Sequence, residues 1–81
     1  MKPTSPRAQR IANAISTHAL KQLHAEFPRI LEEDDELEAA GSAPKYGVRV
    51  HNDFREWANA IENAFDTRDE PYVPICWSSP P

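Results

Sequence analysis

The sequence predicts a mostly α fold: a small three-helix domain with an extended C-terminal segment. Three observations carry that reading. The stretch Asp53 to Asp66 has a single interpretation, because Phe54, Trp57, Ala58, Ile61, Ala64 and Phe65 recur at helical spacing. At about 100° per residue they fill an arc of roughly 120° on one face. A second apolar stripe, Ala8, Ile11, Ala12, Ile15, Ala19 and Leu23, follows the same period. Finally, Ser5-Pro6, Pro28, Gly41 and Pro44 stand where helices start and stop. A chain of 81 residues makes one domain at most. The expected organisation is a flexible basic lead at 1–5, a single helical domain over 6–77 and a frayed tail at 78–81.

Ser5 reads as an N-cap with Pro6 at the first helical position. The helical pattern then continues to Glu26. Leu20 and Phe27 widen the apolar stripe in its second half, enough to touch two neighbours. Pro28 lacks an N–H and clashes with the carbonyl four residues back. A break there is expected, with a second helix over 28–40; one long helix kinked at Pro28 is the alternative. Ile30, Leu31, Leu37 and Ala40 punctuate the second helix, and Gly41 is its natural C′ residue. Tyr46, Val48 and Val50 alternate with polar residues or glycine, a short strand signal. A minor two-stranded β element, 46–50 against 72–77, is therefore one option. Extended coil lying over the helices is the other, since Pro71 and Pro74 confine the later segment to an edge. The third helix is expected over 53–66, with Asp53 and Glu56 at capping-box spacing.

The predicted core is Ile11, Ile15, Leu23, Phe27, Leu31, Phe54, Trp57, Ile61 and Phe65. So few large side chains are a thin core for a domain of this size. A homodimer is the expected remedy.

The net charge is −4, and its distribution is uneven. Residues 1–31 carry five bases against Glu26, whereas 32–38, EEDDELE, carry six acids and no base. That pattern excludes a strongly basic DNA-binding domain. The block Glu32, Glu33, Asp34, Asp35, Glu36 and Glu38 reads as an acidic collar around a helix. It either attracts a basic partner surface or simply keeps the chain soluble. Tyr72 and Trp77, in a Pro-spaced tail, are candidate anchors for a partner. Alternatively, the tail closes the chain's own core over Trp57. Lys2, Arg7, Arg10 and Lys21 form a thinner basic face that could follow a phosphate backbone.

No catalytic or metal constellation emerges. His18 and His24 are six apart and share no face at ligand spacing; His18 is expected half-buried. Cys76 has no helix N-terminus beside it to activate it. The two glycines form no phosphate loop. No metal and no cofactor are expected. A lone cysteine, the lack of an 18-residue apolar run and the lack of a secretory h-region point to the cytoplasm and away from membranes. The expectation is a non-enzymatic protein that binds a macromolecular partner stoichiometrically, as inhibitor, adaptor or accessory factor. Small proteins of phages and mobile elements often share this size and charge. The runner-up is a dimeric DNA-binding regulator using the basic face.

Overall fold

The computed structural model describes residues 1–47, 50, 54–75 and 77. Among them the chain forms three helices: α1, Pro6–Ala14; α2, Thr17–Ala39; and α3, Arg55–Thr67. No helix among the described residues is long and apolar enough to cross a membrane.

The first helix begins as its sequence dictates. Ser5 accepts a hydrogen bond from the Ala8 N–H at 3.2 Å, with Pro6 in the first turn. The break, however, comes at Ile15–Ser16 and not at Pro28. Ile15 and Ser16 are both extended, and Ser16 caps α2 by accepting from the Ala19 N–H at 3.3 Å. A serine able to satisfy an orphan donor is a sufficient start signal. The end of α1 is closed from outside. Arg68, just past α3, donates to the carbonyls of Asn13 and Ile15 at 3.0 and 2.9 Å and to the Thr17 hydroxyl at 3.0 Å. One guanidinium thus serves carbonyls that a helix end leaves unpaired.

Pro28 lies inside a continuous α2. A proline in a helix interior costs about 3 kcal/mol. Burial of Leu20, Phe27 and Leu31 on either side of it offsets that cost. The helix ends in a Schellman arrangement: Gly41 takes φ +71°, Gly41 N–H reaches the Glu38 carbonyl and Ser42 N–H the Leu37 carbonyl. Gly41 is therefore the C′ residue expected from its place in the sequence.

The centre of the fold is α3, and it is buried nearly all round. Every residue from Ala58 to Phe65 is inaccessible, Asn59, Glu62 and Asn63 included. Leu20, Phe27, Ala58, Ile61, Ala64 and Phe65 make the larger core, with Ile15, Phe54, Tyr72, Ile75 and Trp77 packed on it. On the other side Ala8, Ala12 and Ala60 let α1 approach closely. The polar residues of α3 meet the N-terminal segment. Asn63 accepts from the Lys2 N–H at 2.8 Å and donates to the Lys2 carbonyl and to Gln9 Oε1, both at 2.9 Å. Asn59 donates to the Pro3 carbonyl at 2.9 Å. Glu56 accepts from the Ser5 N–H at 2.7 Å. Residues 2–5, expected as a flexible lead, are thus laid along α3. Glu56 serves this segment, and α3 starts after Phe54 without a side-chain cap; the capping box expected from Asp53 lies outside the described residues.

The β element does not form among the described residues. Residues 45–47 are turn and bend, and the Ile75 N–H donates to Glu62 at 3.0 Å, which removes it from any ladder. Val48, Arg49, Cys76 and the expected frayed tail at 78–81 lie outside the described residues, as does Asp53.

Candidate functional site

Among the described residues, surface depressions lie on either side of the central helix, and two of them concern the site. The larger is a cleft of about 1010 Å³ between α2 and the segment Pro71–Ile75, with Leu31 and Phe65 at its base. The α2 side presents Lys21, His24, Ala25, Pro28, Leu31, Glu32, Asp35, Glu36 and Ala39. Those positions recur every three or four residues, so they form one continuous face. The opposite side is proline-rich and carries Val73, which is 83% exposed.

Helical geometry divides the expected acidic collar. Glu32, Asp35 and Glu36 stand at i, i+3 and i+4 and border the cleft. Glu33 points elsewhere, pairing with Lys45 at 2.8 Å and Arg29 at 3.5 Å. The Lys45 hydrogen bond, aided by the Lys45 and Arg29 charges, holds its carboxyl below the usual range against slight desolvation. Asp34 is buried, 3% exposed, and is no docking surface. Glu38 is exposed but does not line the cleft. Of the two expected anchors, Tyr72 lines the cleft. Trp77 packs against Phe27 with ring centroids 6.5 Å apart and lies under the Arg55 guanidinium at 5.7 Å. The tail therefore closes the chain's own core over Phe27 and Phe65, not over Trp57, which stays 39% exposed.

The tail wall is fastened by a buried charge that the sequence reading did not single out. Glu62 is 1% exposed. Its Oε1 lies 2.9 Å from Lys2 Nζ, and its Oε2 lies 2.8 Å from His24 Nε2 and accepts from Ile75 N–H. Lys2 also donates to the Tyr72 hydroxyl at 2.8 Å and sits 4.9 Å from that ring's centre. His24 meets Phe65 and Tyr72 edge-on at 5.4 and 5.9 Å. Four parts of the chain converge on one carboxylate: the N-terminal segment, α2, α3 and the tail. Burial pushes the Glu62 carboxyl up, but the hydrogen bonds from His24, Lys2 and Ile75 outweigh it and hold the group below its ordinary value. Burial likewise pulls Lys2 down, and its bonds to Tyr72 and Glu62 more than reverse this. An isolated Glu on the polar side of α3 gives no signal of burial. Only Lys2 and His24, sixty and thirty-eight residues away, make it tolerable.

Two of the four residues of the expected basic face are engaged within the chain. Lys2 is held by Glu62, and Lys21 pairs with Glu70 at 3.0 Å. Arg7 and Arg10 are exposed on α1. His18, expected half-buried, is exposed.

The smaller depression, about 310 Å³, is lined by Ile11, Ala12, Ile15, Leu23, Phe27, Phe54, Trp57 and Ile61. Seven of these are expected core residues, and three, Ile11, Leu23 and Trp57, remain 39–48% exposed. The break at Ile15–Ser16 accounts for Leu23: it sets the phase of α2, whose buried positions become Leu20, Phe27, Leu31 and Asp34. Leu23 then falls at the edge of the core.

Among the described residues no group of three His, Cys, Asp or Glu side chains could hold a metal ion. No protein-family model matches the sequence, and no curated protein or solved structure is significantly similar to it.

Proposed function

We propose that this chain is a protein-binding module that engages a macromolecular partner stoichiometrically through the cleft between α2 and Pro71–Ile75. The observation that carries the reading is the cleft's composition. Its middle is apolar, while Glu32, Asp35 and Glu36 cluster at one end on the last turns of α2. The carboxyl end of a helix adds partial negative charge there, and no base stands in the last turn to neutralise it. Glu32 and Glu36 have no ion-pair partner among the described residues. A partner with a basic surface would be steered by these carboxylates, and apolar contact would supply most of the affinity. An inhibitor, adaptor or accessory role follows from such one-to-one engagement. Cytoplasmic residence is part of the same proposal. The exposed strip Ile11, Leu23 and Trp57 favours self-association as a second element of the reading, expected as a dimer in sedimentation at micromolar concentration.

The test is capture from native lysate by the tagged full chain beside a Glu32→Lys, Asp35→Lys, Glu36→Lys variant. The expected result is one protein held in equimolar amount by the native chain and lost with the variant. Equal capture by both would remove the cleft from the site. Recovery of nucleoid proteins that disappears on nuclease treatment would replace the reading with nucleic-acid binding.

A further inference from the structure

We infer that the occupant of the cleft is an amphipathic α-helix of the partner protein, basic at one end, and not an extended peptide. This rests on the protein-binding reading above and narrows it to one recognition mode. The first argument is backbone chemistry. A peptide bound in extended form must pair its N–H and C=O groups or bury them unpaired. Neither wall offers a ladder. The α2 backbone is closed on itself from Thr17 to Ala39. In the tail wall Pro71 and Pro74 have no N–H and the Ile75 N–H is bound to Glu62, which leaves at most the adjacent Tyr72 and Val73 N–H groups, pointing to opposite sides of an extended chain. A helix brings its own backbone bonds and asks only for side-chain contact.

The second argument is size. From Lys21 to Ala39 the α2 wall runs about 27 Å, five turns at 1.5 Å per residue. A wall of that length can seat a partner helix of about four to five turns. The third is charge. Glu32 and Glu36 lie about one turn apart on the cleft side of α2, so complementary Lys or Arg side chains belong on a single turn at one end of the incoming helix. At the other end Lys21 is already paired with Glu70. The position of the helix along the cleft is thereby set: its basic turn lies beside Glu36 and its apolar stripe runs back toward His24.

Titration calorimetry on the full chain tests this with synthetic peptides of about eighteen residues. One has a Leu/Ala stripe and Lys/Arg confined to its last turn; a second carries a central Pro; a third has Glu in place of the basic residues. The first is expected to bind, to gain helical circular dichroism on binding and to weaken with added salt. Its affinity should fall at least about tenfold with Glu32→Lys, Asp35→Lys, Glu36→Lys, and by a similar factor with Val73→Asp, each being a loss of direct contact. Val73 is so exposed that its replacement leaves the fold intact, which covers the case of a triple variant that misfolds. Equal binding of the Pro peptide, equal binding of the acidic peptide, indifference to Val73→Asp, or no binding of any peptide would each overturn the helix. A lysate partner that is lost with the triple variant while all peptides fail would overturn the helix alone and leave the protein-binding reading standing.

Discussion

Replacing Glu62 by glutamine tests the reasoning about the buried charge most directly. The substitution keeps the volume and removes the charge. The carboxylate now receives Lys2 on one oxygen and both His24 and Ile75 on the other. An amide has one acceptor oxygen and two donors. If its oxygen faces Lys2, the amide nitrogen confronts the Ile75 N–H; if it is flipped, it confronts the ammonium. At least one donor is left opposed in either orientation. Breaking a buried ion pair typically costs about 3–5 kcal/mol. Lys2 keeps 35% side-chain exposure and can partly rehydrate, so the low end applies, about 3 kcal/mol. In a domain of this size that lowers Tm by roughly 12–24 °C.

Two further measurements make the test specific. Lys2→Met leaves Glu62 with His24 and Ile75, and should cost about 2 kcal/mol, the value of one hydrogen bond between charged groups. Because both changes act on the same cluster, the double variant should show a coupling of about 1 kcal/mol or more. The pH profile carries a sign. Glu62 titrates lower in the folded state than in the unfolded one. Its contribution is full above the unfolded carboxyl value and is lost as pH falls through the folded one. Lys2 is raised, so its contribution is present below the unfolded ammonium value and disappears in strong alkali. Acid-range loss should therefore flatten in Glu62→Gln. A cost below about 1 kcal/mol by urea melt, additive costs, or an unchanged acid limb would refute the account.

Three other outcomes follow from particular contacts. Arg68→Met removes the donors that close the end of α1 and should destabilise by about 1–3 kcal/mol, with amide exchange rising first at Asn13 to Thr17. Ser16→Ala takes away the cap that starts α2 and should cost about 1 kcal/mol in a chemical melt. Leu20→Ala opens a cavity beside Phe65 at a fully buried site and should cost about 2–5 kcal/mol.

The legible parts of the fold are those with local causes. Ser5-Pro6 and Gly41 mark helix ends because cap geometry involves only neighbouring residues. The apolar face of α3 is legible because periodicity is local too. Pro28 misleads for the converse reason: its penalty is local, while the burial of Phe27 and Leu31 that overrides it is tertiary. The polar side of α3 misleads most. Asn59, Glu62 and Asn63 lie opposite the apolar stripe, yet they are buried and are what the N-terminal segment pairs with. No rule of spacing links residue 2 to residue 63. The acidic block shows the same limit at the candidate site. Its composition draws attention to α2, but only the tertiary packing separates Glu32, Asp35 and Glu36, which border the cleft, from Asp34, which is buried.

The cleft and the buried charge are physically one assembly. One wall of the cleft is α2, a rigid helix capped at both ends. The other is a short segment with no regular structure, and so no internal hydrogen-bond ladder to hold its shape. Its position depends on what it rests upon. Tyr72 stacks near Phe65 at 5.5 Å and accepts from Lys2; Ile75 is bound to Glu62. Loss of Lys2 removes one of those supports and part of the compensation for the buried carboxylate. Lys2→Met should therefore widen the cleft's accessible conformations and weaken cleft ligands, although Lys2 does not line it. Exposed-lip changes such as Val73→Asp should weaken ligands without altering stability. Variants that lower both quantities together would thus mark the fastening of the tail wall, and variants that lower binding alone would mark the contact surface.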